Sequence, residues 1–136
     1  MAGAKRFQEL IAWQRCRELS DIIFEITETG PAARNTEFRE QIRDAAQGAA
    51  PLIAEGFVRY LPGDFARYLR MARGEIAEVQ SDLEEARAKN YFLDEQQSRA
   101  STVARRAMSL TTRLLVSKVR QIESERKRKK RRPPKR

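Results

Sequence analysis

The chain of 136 residues contains no histidine and a single cysteine, Cys16. The absence of histidine removes the commonest general base, the commonest metal ligand and the usual pH switch near neutrality. One cysteine excludes an intramolecular disulfide and a cysteine-based zinc site, and its helical spacing predicts a small core residue. The sequence also lacks phosphate loops, nucleophile–base pairs and nucleotide-binding fingerprints. We therefore expect a protein that is not an enzyme and that uses no cofactor or metal.

Long apolar runs are missing as well. No segment of the sequence approaches the roughly 18 apolar residues that a membrane span needs. The N-terminal stretch "MAGAKRFQEL" has two basic residues but lacks the apolar run of a signal peptide. These absences predict a soluble, cytoplasmic protein without a membrane span. Carboxylate-rich helical bundles can hold di-iron sites, but such sites need Glu-x-x-His motifs, which a chain without histidine does not have.

Charge is distributed very unevenly along the chain. The sequence has 28 Lys or Arg and 19 Asp or Glu. Nine of the basic residues lie among the last eleven, residues 126–136, which contain no acid. The other 19 basic residues balance the 19 acidic ones, so the net charge of +9 belongs to this tail. We predict two parts, a helical domain over residues 1–125 and a disordered basic tail over residues 126–136.

Four segments carry the 3.5–3.6-residue periodicity of amphipathic helices. The first covers about residues 7–29 and is predicted to end at Gly30 and Pro31. The second begins after a cap at Asn35 or Thr36, and the third begins near Pro62, a good first-turn residue.

The fourth helix follows the turn "KNYFLDEQQ", in which Asp94 and Gln97 resemble a capping box. No strand signal competes with the helical pattern. Four helices joined by short turns favour an all-α fold, an antiparallel up-down four-helix bundle.

The stretch "GAAPLIAEGFVRYLPGDF" interrupts this helical pattern with prolines and glycines. Pro51 removes one backbone hydrogen bond, so it should kink or loosen the second helix. If the second and third helices form a hairpin, Gly48 is expected to face Gly74, and Gly56 is expected to face Ala66. Small residues at both levels predict an unusually close crossing of the two helices.

Several motifs together resemble a known family. They are "LIAWQRCREL", "QIRDAA", "IAEGFVRY" and "FARYLRMARGEIAEVQSDLEEA", and the resemblance covers about residues 7–93. The chain looks like the bacterial four-helix bundle proteins named for open reading frames in intervening sequences of 23S ribosomal RNA genes. The positions that match the family motif, to which we assign a structural role, are Ile53, Ala54, Glu55, Gly56, Arg59, Phe65, Leu69, Arg73 and Gly74.

The resemblance implies more than a fold. It implies a ring-like homopentamer of four-helix bundles. It also suggests kinship with the accessory bundle proteins that assist reverse transcriptases in diversity-generating retroelements. Those relatives are basic pentamers that bind nucleic acid and their polymerase, so a reverse transcriptase or another nucleic-acid enzyme becomes an expected partner.

The basic tail is a dense phosphate-binding signal. Contacts of Lys and Arg with phosphates release counterions and give affinity that is independent of sequence and sensitive to salt. The alternatives are a solubilising end or attraction to anionic membrane surfaces. The candidate nucleic-acid-binding residues in the tail are Arg126, Lys127, Arg128, Lys129, Lys130, Arg131, Arg132, Lys135 and Arg136.

The fourth helix carries a second basic feature, which we call the ridge. Its arginines recur at seven-residue spacing and drift only about 20° per heptad, so they share one face of a straight helix. The ridge consists of Arg99, Arg106, Arg113 and Arg120. One interpretation is a basic track that leads into the tail. The other is pairing with acids on a neighbouring helix or subunit, namely Glu75, Glu78, Asp82 and Glu85.

Aromatic residues allow two interpretations in the same way. Tyr60 and Tyr68 lie near arginines in the sequence and could stack on unpaired bases. Aromatic residues are also enriched at subunit contacts, where they are half-buried, and we favour that interpretation for both tyrosines. For Trp13 we favour a core or interface anchor over a base-stacking platform.

The leading hypothesis is an oligomeric accessory protein without catalytic activity that binds nucleic acid, RNA rather than DNA. It would dock electrostatically through the tail and the ridge, with five tails acting together in a pentamer. The alternative hypothesis is a structural adaptor that assembles a protein partner on a pentameric ring without nucleic acid.

Overall fold

A computed structural model describes residues 3–135 of the chain. Over these residues it contains helices and no strand, which confirms the predicted all-helical class. A short 3-10 turn, Phe7–Glu9, precedes the first helix. The helices are α1 (Ile11–Ile26), α2 (Pro31–Arg34), α3 (Thr36–Arg59), α4 (Pro62–Ala88) and α5 (Asp94–Arg131). None of the helices in the described part of the chain is both long enough and apolar enough to cross a membrane.

Local sequence signals explain most helix starts. The Asn35 side chain accepts a hydrogen bond from the backbone N–H of Phe38 at 3.2 Å, which confirms the predicted cap of α3. Pro62 occupies the first position of α4, as predicted. At α5 the predicted capping box is wrong by one residue. The backbone N–H of Leu93 donates to the Gln96 side chain at 3.0 Å.

The end of α1 also differs from the expectation. Helix α1 ends at Ile26, three residues before the predicted end at residue 29. The Thr27 hydroxyl donates to the Ile23 carbonyl at 2.6 Å, and the Thr27 backbone N–H donates to the same carbonyl at 3.1 Å. Gly30 adopts a φ of 84°, and Pro31 then opens the single turn of α2. The chain therefore adds a short fifth helix between the first two long ones.

The four long helices pack as neighbours in a closed order: α1 contacts α3 and α5, and α4 contacts the same two helices. Residue numbers rise along one helix of a pair while they fall along the other. Between α3 and α4, Gln41 bonds to Asp82, and Gly48 lies against Glu75. Helices α3 and α4 thus form an antiparallel hairpin.

The remaining pairs show how polar groups join the helices. Arg43 of α3 donates from Nε to the Thr27 hydroxyl at 2.8 Å and lies over the Phe24 ring of α1. The Gln97 amide of α5 donates to the Leu83 carbonyl of α4 at 2.9 Å, deep in the interior. Two apolar clusters fill the space between the long helices, one toward each end of the molecule.

The predicted close crossing of α3 and α4 is only partly right. Gly56 is buried, and a Cβ placed there would lie 2.8 Å from the Tyr68 Cβ and 2.9 Å from the Phe65 ring. Gly48 instead meets the Glu75 side chain, and Gly74 has no atom near the position of its absent Cβ. The expected contact of Gly48 with Gly74 is wrong because the hairpin register differs by one residue. Successive side chains lie about 100° apart around a helix, so Glu75 faces α3 in place of Gly74.

Two further expectations concern breaks in helices. Pro51 lies exposed within α3, and the helix continues through it from Thr36 to Arg59. The disordered tail predicted from residue 126 is not confirmed, because α5 continues to Arg131. Lys and Arg are good helix formers, and cations near a helix C-terminus interact favourably with its dipole. The two prolines after Arg132 coincide with the end of the helix.

Helix α5 is longer than its neighbours. Ile122 is the last of its residues that packs against the apolar clusters. Residues 123–131 are helical, and every one of them is exposed. At 1.5 Å per residue, this segment continues for roughly 13 Å past the packed part of the helix. We call residues 123–131 the overhang and residues 11–122 the body.

Candidate nucleic-acid interface

The overhang concentrates the basic residues of the tail. Its cationic side chains are consecutive, exposed and without an ion pair in the part of the chain that the structure describes. They are Arg126, Lys127, Arg128, Lys129, Lys130 and Arg131. Arg132 and Lys135 follow as exposed residues beyond the helix, and Arg136 lies outside the described residues. Six adjacent cations on one helical segment repel one another, so an anionic partner would relieve this repulsion.

The start of the overhang provides partial compensation for this repulsion. Glu123 and Glu125 stand four residues before Lys127 and Lys129, the order that stabilises a helix when the side chains approach. Each such pair contributes only about 0.2–0.5 kcal/mol and is weakened by salt. The overhang therefore has helical propensity and favourable local charge order, but no packing against the body.

The ridge arginines Arg99, Arg106, Arg113 and Arg120 are all exposed on α5. Arg99 donates to the Glu25 carboxylate of α1 at 2.9 Å. The other three ridge arginines have no ion-pair partner within residues 3–135. Three of the four ridge arginines thus have guanidinium groups that are open to solvent. They lie on the same helix as the overhang.

Two of the four acids proposed as partners of the ridge bond to other residues within the chain. Glu85 accepts from Lys89 at 3.0 Å, and Asp82 accepts from the Gln41 amide at 2.6 Å. Pairing between the ridge and these acids is not seen within residues 3–135, so this alternative requires a neighbouring subunit.

Two carboxyl groups on α4 have raised pKa values. Burial raises the pKa of Glu75, and the nearby Glu78 and Asp44 carboxylates raise it further. Burial also raises the pKa of Asp82 more than the hydrogen bond from Gln41 lowers it, and Glu85 and Glu78 add to the increase. The Asp82 Oδ2 is buried without a hydrogen-bond partner among the described residues. The part of α3 and α4 around Glu75 and Asp82 is therefore acidic, whereas the exposed side of α5 is basic.

The family-motif residues have structural contacts. Ile53, Phe65 and Leu69 are buried in one apolar cluster, and Gly56 allows α4 to approach α3. Ala54 is half-buried beside them, and Gly74 is exposed on α4. Arg73 donates from Nε to the Thr112 hydroxyl of α5 at 3.0 Å, so it joins two helices.

The remaining motif residues form a small cation–π group. Arg59 donates to the Glu55 carboxylate, four residues before it, at 3.1 Å. The Arg59 guanidinium lies 5.0 Å from the centre of the Tyr68 ring, and the Arg67 guanidinium lies 5.1 Å from the same ring. Tyr68 is half-buried, so its ring holds two cations in place and is not free to stack on a base.

Cys16 is buried in the same interior as the motif residues. Burial raises the pKa of its thiol to about 11, and the nearby Thr111 hydroxyl offsets only part of the increase. A thiol with this pKa is almost entirely protonated at neutral pH and is a poor nucleophile. The prediction of a small core residue is confirmed for Cys16.

The subunit contact favoured for Tyr60 stays a prediction, because a single chain contains no such contact. Tyr60 caps the end of α3 with a φ of 74°, and its side chain is 89% exposed. Trp13, by contrast, is half-buried, with the Phe7 ring 5.4 Å from its own. A cue for Tyr60 exists in the sequence: the reversal between α3 and α4 contains no glycine before Leu61, so another residue must take the left-handed conformation.

Comparison with known proteins identifies the family. The family model described as 23S rRNA-intervening sequence protein matches residues 8–114, which cover most of the body and stop short of the overhang. This match confirms the resemblance found from the sequence motifs, and the chain belongs to that family. Among curated proteins, no sequence matches the chain.

Proposed function

We propose that this member of the 23S rRNA-intervening sequence protein family is a cytoplasmic RNA-binding accessory protein without catalytic activity. Its long helices make an antiparallel up-down four-helix bundle, which serves as a rigid platform for α5. The overhang and the basic residues after it dock on phosphates, and the ridge extends this contact along the body. The preference for RNA over DNA rests on the name of the family, which refers to ribosomal RNA.

The observation that carries the proposal is the state of the basic side chains on α5. Those of the overhang are exposed, helical and unpaired within the described residues. Three ridge arginines on the same helix share these properties. Lys and Arg that are held apart from acids in this way are the groups that neutralise phosphates and release counterions. The acids of the protein are concentrated on other helices, where they do not compete.

Assembly strengthens the proposed contact. We propose a homopentamer, as the family resemblance implies, in which five basic arms engage one RNA. Linked sites raise the apparent affinity by effective concentration without any new type of contact. In this arrangement the protein serves a larger nucleic-acid machine, such as a reverse transcriptase.

The test is the affinity for RNA as a function of salt, for the full chain and for a chain that ends at Glu125. Nine engaged basic residues predict a slope near −6 in log affinity against log salt, from about −0.7 per contact with a single strand. We expect truncation to remove most of this slope and most of the affinity at low salt.

Two other outcomes have distinct meanings. A slope that survives truncation would move the site to the ridge. Replacing Arg106, Arg113 and Arg120 together by glutamine should then abolish binding. Absence of RNA binding by the full chain at low salt would overturn the proposal and favour the adaptor hypothesis. Light scattering that shows a monomer would remove the argument from linked arms.

A further inference from the structure

Tyr60 combines two properties that rarely occur together. Its backbone φ of 74° lies in the left-handed region, where a residue with a side chain is strained and glycine is favoured. Its ring is 89% exposed, more than any other large apolar side chain in the described part of the chain. A strained residue normally persists because its side chain gains packing. Tyr60 gains none within this chain, so the reason for a tyrosine at this position lies outside the fold of the monomer.

The position of Tyr60 places it at the base of the overhang. The first turn of α4 follows directly after it, and the Phe65 ring there lies 5.2 Å from the Lys118 ammonium of α5. Both Phe65 and Ile122 belong to the same apolar cluster. The turn between α3 and α4 therefore lies beside the last packed residues of α5, where the overhang leaves the body.

The surroundings of the ring suit a flat apolar ligand with negative charge nearby. Val58 and Leu61 on either side of the turn are each 62% exposed. Arg59 and Arg67 are held close by through their contacts with Tyr68. The apolar area around Tyr60 is small, and the overhang beside it is polar on all sides. A membrane-binding helix needs a broad apolar stripe, so this surface does not resemble one.

We propose that Tyr60 is a stacking platform for an unpaired base of a single-stranded RNA whose phosphates follow the overhang. This inference rests on the proposed function and names its substrate class. In a duplex both faces of each base are covered by neighbours, so an exposed ring can take up only a base that is splayed out. The turn presents the ring to solvent, and the overhang, which is about 13 Å long and leaves the body beside this turn, supplies the phosphate contacts.

The test measures binding of two RNAs of equal length, one single-stranded and one duplex, to the full chain. Tyr60→Gly removes the ring and relieves the backbone, so the variant should fold at least as well as the parent protein. We expect its affinity for the single strand to fall on the order of tenfold, the loss of one stacked base. Affinity for the duplex and the salt slope should not change, because stacking releases no counterions.

Conservative and control variants sharpen the result. Tyr60→Trp keeps a flat ring and should retain single-strand binding, with quenching of the new tryptophan when RNA is added. Leu93→Ala removes a side chain that is 71% exposed at the turn between α4 and α5. That turn is the far end of the body from the overhang, so this variant should bind both RNAs like the parent protein.

The outcomes separate this inference from the proposed function. If the parent protein binds neither RNA, the proposed function fails. If it binds RNA but Tyr60→Gly binds the single strand equally well, the phosphate contacts stand and the stacking role is overturned. A lower melting temperature or a changed assembly mass for Tyr60→Gly also overturns it, because the ring would then serve folding or subunit contact. If Tyr60→Gly lost binding to anionic lipid vesicles but kept binding to both RNAs, the ring would serve a membrane contact, and the stacking role would be overturned.

Discussion

The body and the overhang are both helical, but for different reasons. In the body, each long helix buries an apolar face against two others, and tertiary packing fixes its conformation. In the overhang, every side chain is exposed, and the helix rests on propensity and on its continuity with the packed part of α5. A helix extended from an existing turn avoids the cost of nucleation, so a short polar segment can remain helical there.

The body and the overhang place different requirements on their amino-acid sequences. The body requires particular shapes at particular positions, such as a residue without a side chain at Gly56. The overhang requires only charge and helix-forming residues, so many sequences would serve. The family match ends at residue 114, before the overhang begins, which agrees with this division. Four experiments test this difference between the body and the overhang, in order from the largest expected effect on stability to the smallest.

Leu69→Ala should cause the largest loss of stability. The Leu69 side chain is fully buried in the apolar cluster. Truncating a buried leucine removes its transfer free energy and leaves a cavity, which together cost about 2–5 kcal/mol. Urea denaturation measures this loss. The matched change in the overhang, Lys129→Ala, should alter the free energy of unfolding by less than about 0.5 kcal/mol. Equal effects at the two sites would contradict the division.

Gly56→Ala and Gly74→Ala should have opposite effects. Alanine favours the helix at both sites by about 1 kcal/mol. At Gly56 the new methyl group meets the Tyr68 Cβ at 2.8 Å, and that atom is fixed to the backbone of α4. Overpacking of about 1–3 kcal/mol should therefore outweigh the gain. At Gly74 nothing lies near the new methyl group, so thermal denaturation should show a gain of about 0.5–1 kcal/mol. Destabilisation by Gly74→Ala would mean that this face is covered, for example by another subunit.

Asp82→Asn should stabilise the protein at pH 7, on the order of 1 kcal/mol. Burial and the neighbouring carboxylates raise the pKa of Asp82 in the folded state, so its charged form opposes folding. The asparagine oxygen can still accept from Gln41. The contribution of Asp82 to stability should be most favourable below the unfolded pKa of about 3.8 and be lost as the pH rises through the folded pKa.

The difference between Asp82→Asn and the parent protein should consequently vanish at acid pH. Urea denaturation at pH 3.5 and pH 7 measures both ends of this window. If the parent protein were more stable than Asp82→Asn at pH 7, the Asp82 carboxylate would have a cationic partner. The ridge of another subunit could be that partner.

Glycine at both Lys127 and Lys129 should have the smallest effect on global stability. Each glycine costs about 1 kcal/mol of helix propensity, which is enough to melt a segment without packing. Circular dichroism should lose the signal of up to nine helical residues, while the urea midpoint stays unchanged. Lys127→Ala with Lys129→Ala removes the same charges and should keep the helix. A lower urea midpoint for the glycine variant would show that the overhang packs against the body.

The positions of the helices were largely predictable from sequence. The apolar periodicity, the cap at Asn35 and the proline at Pro62 are local signals, and each acts within one or two turns of its own helix. Gly30 and Pro31 also marked a boundary correctly, although α1 ends earlier and Pro31 opens a further turn of helix. The basic composition of the tail was equally plain, but composition alone did not reveal that α5 continues through it.

The contacts of individual residues were less predictable. Gly48 was expected to meet Gly74 and meets Glu75, because a shift of one residue in the hairpin turns a different side of α4 toward α3. Gln97 was expected to cap α5 and instead lies buried with its amide on the Leu83 carbonyl. The left-handed conformation of Tyr60 was not predicted; it arises because the turn needed one left-handed residue and offered no glycine.

The sequence by itself determined the class of the protein: all-helical, with long amphipathic segments, no histidine and a net positive charge gathered at one end. These properties follow from composition and from periodicity along the chain. Only the tertiary structure decided which glycine is crowded, which carboxylate is buried, where the ridge is unpaired and how far α5 extends past its neighbours. Those facts depend on the rotation and offset of one helix against another, and a displacement of a single residue changes them while leaving the periodicity of each helix intact.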